Sequence, residues 1–142
     1  MMSSSLIVLT GFIAWTLLLL IVMEVIRSVM VVRGTVPANG FSPDNAGLSP
    51  FMQRLARAHA NCIEGLPIFG GLLLVAVVAD LAHLTDPLAW VFLIARIVQS
   101  LIHLCSISPV AVTLRFSAFA VQLLIATYWA FVLLLALTGP AG

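Results

Sequence analysis

Arg54, Arg57, Asn61 and Glu64 follow one another at steps of three, four and three within RLARAHANCIEGLPIF. On a helix those steps make one stripe, so two guanidiniums, an amide and a carboxylate share a face. Arg96, Gln99, Ser100 and His103 make a second stripe further along the chain, and Arg115, Phe119 and Gln122 a third. These residue types suit the handling of a small polar anion. Arginine forks hold carboxylates, and a carboxylate holds an ammonium. A guanidinium beside a thiol favours the thiolate, which is the nucleophile. His59, two residues from Arg57, points nearly the opposite way and reads as a packing or interfacial residue.

Plainer readings stand beside this one. Glu64 and Arg96 could neutralise each other as a buried pair that fixes helix register. Asn61 could join two helices, and Arg54 could be an ordinary charge at the membrane border. Cys62 and Cys105 form no Cys-x-x-Cys pair, which argues against a membrane disulfide oxidoreductase and leaves them as packed thiols. A net charge of +1 points to no nucleic-acid partner.

The elements that carry the stripes are written in the composition. Of 142 residues, 63% are hydrophobic and 8% charged, too little polar surface for a soluble domain of this size. Continuous apolar runs predict four membrane-spanning helices at about 6–33, 51–83, 87–107 and 109–137, since a span must satisfy its backbone internally. The runs lack the alternation of a β-barrel. The opening MMSSSLIVLT has no positive region of a secretory signal and reads as the start of a retained span. The expected fold is all-α: one domain, a four-helix up-down-up-down bundle integral to the membrane.

The first connection, Arg33 to Pro50, is the long one and is rich in Pro, Gly, Asn and Ser. The second is expected at His83–Pro87, with Thr85 or Asp86 capping the next helix. The third is a tight turn at Ser106–Pro109, with Pro109 in the first helical turn. Pro67 should interrupt the second helix. Arg27, Arg33, Arg54 and Arg57 flank the first connection and Arg115 follows the third, whereas the second carries Asp80, His83 and Asp86. The positive-inside rule then places both termini outside the cytoplasm.

Ionisable groups inside a span cost ~2.5 to 3.5 kcal/mol each on insertion scales, which marks them as functional candidates. With a rise of about 1.5 Å per residue, Arg57, Asn61 and Glu64 lie roughly 9, 15 and 20 Å from the cytoplasmic end. Arg96, His103 and Arg115 lie roughly 17, 6 and 9 Å in, and Glu24 and Arg27 fall in the same half. One polar pocket in the cytoplasmic half is the expectation.

The stretch RAHANCIEGLPIF, through Arg57, Asn61, Glu64, Pro67 and Phe69, resembles the second-helix signature of the MAPEG family, membrane-associated proteins in eicosanoid and glutathione metabolism. ARIVQSLIHL resembles that family's third helix and LRFSAF its fourth. The resemblance implies a homotrimer that binds glutathione as co-substrate between neighbouring subunits. It implies that Arg57, Asn61 and Glu64 hold the tripeptide, that Arg96 pairs with or orients the glutamate, and that Arg115 stabilises the thiolate. Arg27 or Arg33 would supply a first-helix contact, and His103 either a substitute hydrogen-bond donor or an interfacial residue. Gln99 and His103 stand where animal members commonly carry tyrosines or a histidine–tyrosine pair, and Arg115 lies a few residues further from Arg96 than the pattern leads one to expect.

The function so implied is a glutathione-dependent transferase or peroxidase acting on a lipophilic small molecule that arrives through membrane lipids. The rivals are a non-catalytic lipid-binding member and a small proton-coupled transporter using Glu24. The absence of lysine and the high apolar content fit a bacterial inner membrane.

Overall fold

Serine and proline start most of the helices. The computed structural model describes residues 2–140. Helix α1 (Ser4–Val32) opens on Ser3, whose Oγ accepts from Leu6 N. Helix α2 (Pro50–Gly65) opens on Ser49 and α5 (Pro109–Thr138) on Ser108. Each of these serines caps a backbone N–H three residues on, and the proline that follows occupies a position whose missing N–H costs nothing. Pro109 therefore falls where the sequence placed it.

The second span is interrupted at Pro67. After α2 the chain makes a π-helical turn (Leu66–Gly70) and resumes as α3 (Gly71–Val78). Proline offers no N–H to the preceding turn, and the wider turn absorbs the break without ending the span.

The second connection differs from expectation. It is Ala79–Leu81, with Asp80 at φ 59°, and α4 (Ala82–Cys105) begins before His83. Pro87 lies inside α4, not ahead of it. Asp86 is likewise not the cap of its own helix. Its Oδ1 accepts from Ser5 N at 2.7 Å, Ser5 Oγ at 2.7 Å and Ser3 Oγ at 3.0 Å, so it caps α1. Thr85 Oγ1 lies 2.6 Å from Ser5 Oγ in the same cluster. A carboxylate at a helix N-terminus also meets the positive end of the helix dipole.

Each of the four spans is long and apolar enough to cross a bilayer. Only 28% to 39% of each span's most apolar stretch is buried within the bundle, so most of its apolar surface faces outward. Leu17, Phe116, Leu124 and Phe131 are all more than half exposed, an arrangement that lipid tolerates and water does not. Helix α4 packs against α1, α2, α3 and α5. At the centre Phe92 of α4 stacks on Phe12 of α1 at 5.6 Å, Phe69 of the π turn at 5.1 Å and Trp129 of α5 at 5.7 Å. One aromatic from every span thus meets at a single point, with separations in the favourable range for offset or edge contacts.

The long first connection is fixed by Arg27. Its Nε donates to Asn45 Oδ1 at 3.0 Å, its Nη2 to the Ser42 carbonyl at 3.1 Å, and its Nη1 to Glu24 at 3.0 Å. Asn45, buried and at φ 56°, passes the contact on by donating to the Met52 carbonyl. Next to it, Ser42 Oγ and Ala46 N donate to Asp44, which holds that exposed carboxyl below its ordinary range.

Candidate functional site

Part of each stripe reaches one cavity of about 470 Å³. Helix α2 contributes Asn61, Glu64 and Gly65, and the π turn adds Ile68 and Phe69. Helix α4 supplies Arg96 and Gln99; α5 supplies Val112, Arg115, Phe116, Phe119 and Leu123. The cavity is not uniformly polar. The polar stripes supply one part of its wall, while apolar residues, above all on α5, supply the rest.

Arg96 is 2% exposed, and its guanidinium sits between two rings, 5.4 Å from the Phe12 centroid and 5.3 Å from the Phe69 centroid. Such stacking favours a desolvated cation by ~2 kcal/mol or more. Its Nη1 reaches the Asn61 carbonyl only at 3.4 Å, and its Nε and Nη2 have no partner among the described residues. Gly65 makes the stack possible: a Cβ there would come within 2.8 Å of Arg96 Nη2. Glu64 lines the same cavity yet does not pair with Arg96. Among the described residues the one ion pair is Glu24–Arg27, so the alternative reading of Glu64 and Arg96 as a buried pair is not met. Equal depth along two helices set their level but not their bearing.

His103 is buried and tied to the site through Asn61, whose Nδ2 donates to His103 Nδ1 at 3.3 Å. Asn61 thus joins α2 to α4 while also facing the cavity. Arg54 has a structural task, donating through Nε to the Leu104 carbonyl at 2.8 Å and satisfying the last turn of α4. Arg57 is exposed, one turn before Asn61, and does not line the cavity within one chain. Arg27 is held in the loop clamp and does not line it either. Arg33 lies instead in a groove along α1, with Glu24 and Ser28. His59 packs half-buried with its Nε2 unpartnered, away from the cavity.

Sequence reading did not single out Gly65 or Phe12. An isolated glycine beside Glu64 in a helical run was the available signal for the first, because such a glycine often marks a close approach. Nothing local marked Phe12, which meets Arg96 only through the packing of α1 on α4.

These features define a four-span helical membrane protein with one amphiphilic cavity walled by arginines, a carboxylate and aromatic side chains. The chain matches the model of the MAPEG family over residues 5–135 and belongs to that family. Membership places it among membrane proteins of glutathione-related or lipid metabolism, whose members generally use glutathione. No curated protein and no solved structure matches it significantly.

Proposed function

We propose that the protein is a membrane-bound glutathione-dependent transferase or peroxidase for a lipophilic electrophile. The observation that carries this reading is the meeting of Glu64, Arg96 and Arg115 with the apolar wall of Ile68, Phe116 and Leu123 in one cavity. Glutathione brings two carboxylates, an ammonium and a thiol. The guanidinium of Arg96, in the cavity wall and in no ion pair, gives the cavity a positive charge suited to an anionic ligand. Glu64 suits the ammonium, Asn61 extends the polar face, His103 holds Asn61, and Arg57, exposed one turn from Asn61, would join the ligand in the assembled homotrimer. Arg115 favours the thiolate.

The thiolate sulfur then attacks the electrophilic carbon, forming a sulfur–carbon bond as the leaving group or π bond takes the electron pair. With a hydroperoxide, the sulfur attacks an oxygen, the O–O bond breaks and an alcohol departs; a second glutathione then yields the disulfide and water. The apolar wall receives the acyl or aromatic body of the second substrate. In this proposal the active form is a homotrimer in a bacterial inner membrane with both termini outside the cytoplasm. Arg27 would join the site only from outside the loop clamp that holds it in one chain.

A non-catalytic lipid-binding role is the second reading, favoured by the aromatic and aliphatic share of the cavity wall. Proton-coupled transport through Glu24 is disfavoured by its ion pair with Arg27 at 3.0 Å. Isothermal titration of the detergent-solubilised protein with glutathione tests the main reading. The wild type should bind saturably, and Arg57→Ala should bind about tenfold more weakly, as loss of one charge-assisted contact implies. Absence of saturable binding by the wild type rejects the reading.

A further inference from the structure

Gln99 lines the cavity, and its Oε1 accepts from Gln122 Nε2 at 2.9 Å. Gln122 Nε2 also donates to the Ala118 carbonyl at 3.0 Å. The two ends of an amide have nearly the same shape, so the direction of an amide–amide bond is normally open. Here the backbone closes it. A carbonyl only accepts, so the Gln122 atom beside Ala118 is the NH2, and the Gln99 atom facing that NH2 is the oxygen. The Gln99 NH2 is left on the remaining side without a protein partner, yet it is not among the sealed-off atoms.

Neither side chain can swing out to water, because Gln122 is 0% exposed and Gln99 7%. The arrangement leaves Gln122 Oε1 buried and unpartnered. An orphaned acceptor is thus tolerated on α5 while a free donor is kept at the cavity. Arg96 and Arg115 are donor-only groups on the same two helices. The polar side chains that α4 and α5 bring to the cavity wall are thus two cations and the Gln99 amide, with no carboxylate among them.

We propose that Gln99 is a specificity-determining hydrogen-bond donor of this cavity and that Gln122 is the positioning residue that fixes its polarity. The ligand accepted there presents an acceptor-only group, a thiolate or a carboxylate, to the level of Gln99. This rests on the glutathione reading for the identity of the ligand.

The test is isothermal titration of the full chain in detergent with glutathione and with S-methylglutathione, which lacks an ionisable sulfur, alongside melting temperatures. Gln99→Glu keeps the acceptor that Gln122 needs and converts only the cavity-facing donor. It should weaken glutathione binding about tenfold, the size of a lost charge-assisted bond. Gln122→Met frees the Gln99 amide to turn over and should weaken binding about threefold, but should add nothing in a Gln99→Met background. Gln99→Met serves as the second single variant if the carboxylate unfolds the bundle. A greater loss for glutathione than for S-methylglutathione assigns the partner to the sulfur, and equal losses assign it to a carboxylate. Unchanged affinities in folded Gln99 variants overturn the proposal while wild-type binding leaves the glutathione reading intact. A full Gln122→Met effect without Gln99 overturns the positioning role. No saturable binding by the wild type removes both proposals together.

Discussion

The two ends of the bundle treat their polar groups in opposite ways. Where α1 and α4 begin, Ser3, Ser5, Thr85 and Asp86 satisfy one another at 2.6 to 3.0 Å. Around the cavity, Arg96 Nε, Arg96 Nη2 and Gln122 Oε1 are buried without partners. In a low-dielectric interior an unpaired polar group is costly, so a membrane protein keeps one only where something else compensates. The first cluster uses its hydrogen bonds to hold helices together; the second leaves a buried charge and an amide oxygen unpaired behind the cavity wall. Substitutions at the two ends should therefore separate stability from binding.

The largest effect is expected at Arg115. Arg115→Ala removes the guanidinium proposed to stabilise the thiolate and should lower turnover about 10²-fold, the usual scale for one lost electrostatic stabiliser. Glutathione affinity should change far less, because other cavity residues hold the peptide. Steady-state rates with a model electrophile, set beside titration calorimetry, give both numbers. Equal losses in turnover and affinity would make Arg115 a binding residue and blur the contrast drawn here.

Gly65→Ala comes next and acts on both quantities. The added Cβ falls 2.8 Å from Arg96 Nη2 and about as close to the Phe69 ring, at 3.1 Å, so the stacked guanidinium must shift. Overpacking of this kind costs about 1–3 kcal/mol. Displacing Arg96 should weaken glutathione binding as well, and a melting curve with a titration reads the two effects. A variant that melts and binds like the wild type would show that the stack gives way easily and is not what aims Arg96.

Much of this architecture was legible from sequence because hydrophobic runs and helical spacing are local signals. Four spans, Pro109 in the first turn of the last helix, and the placing of Asn61, Glu64, Arg96 and Arg115 in one half of the bundle all follow from counting along the chain. What escaped depended on contacts between distant segments. Asp86 ahead of Pro87 looked like the start of a helix, since both residue types favour that place. The structure instead uses the carboxylate on Ser3 and Ser5, more than eighty positions away, and lets Pro87 ride inside α4. Arg27 looked available for a ligand until the loop brought Asn45 and Ser42 to it. Glu64 and Arg96 were expected at similar depths, but the Arg96 guanidinium lies between the Phe12 and Phe69 rings and forms no pair with Glu64. Spacing gives level and face on one helix, and only packing gives bearing between helices.

The variants with the smallest expected effect on binding complete the comparison at the other end. Asp86→Ala removes the acceptor of three hydrogen bonds at the start of α1 and leaves Ser5 N without that partner. Hydrogen bonds to a charged group contribute about 1.5–3 kcal/mol, and the half-exposed position lets water replace part of the loss, so about 2 kcal/mol is expected. Asp86→Asn keeps an acceptor oxygen and should recover roughly half of that, losing mainly the interaction of the charge with the helix dipole. Neither variant should alter glutathione affinity, because no residue of this cluster lines the cavity. Thermal unfolding in detergent followed by helicity reads the first expectation, and calorimetry on the same samples reads the second. A fall in affinity that tracks the fall in melting temperature would mean that the junction of α1 with α4 also sets the stack of Phe12 on Arg96, and that the two ends of the bundle are one cooperative unit.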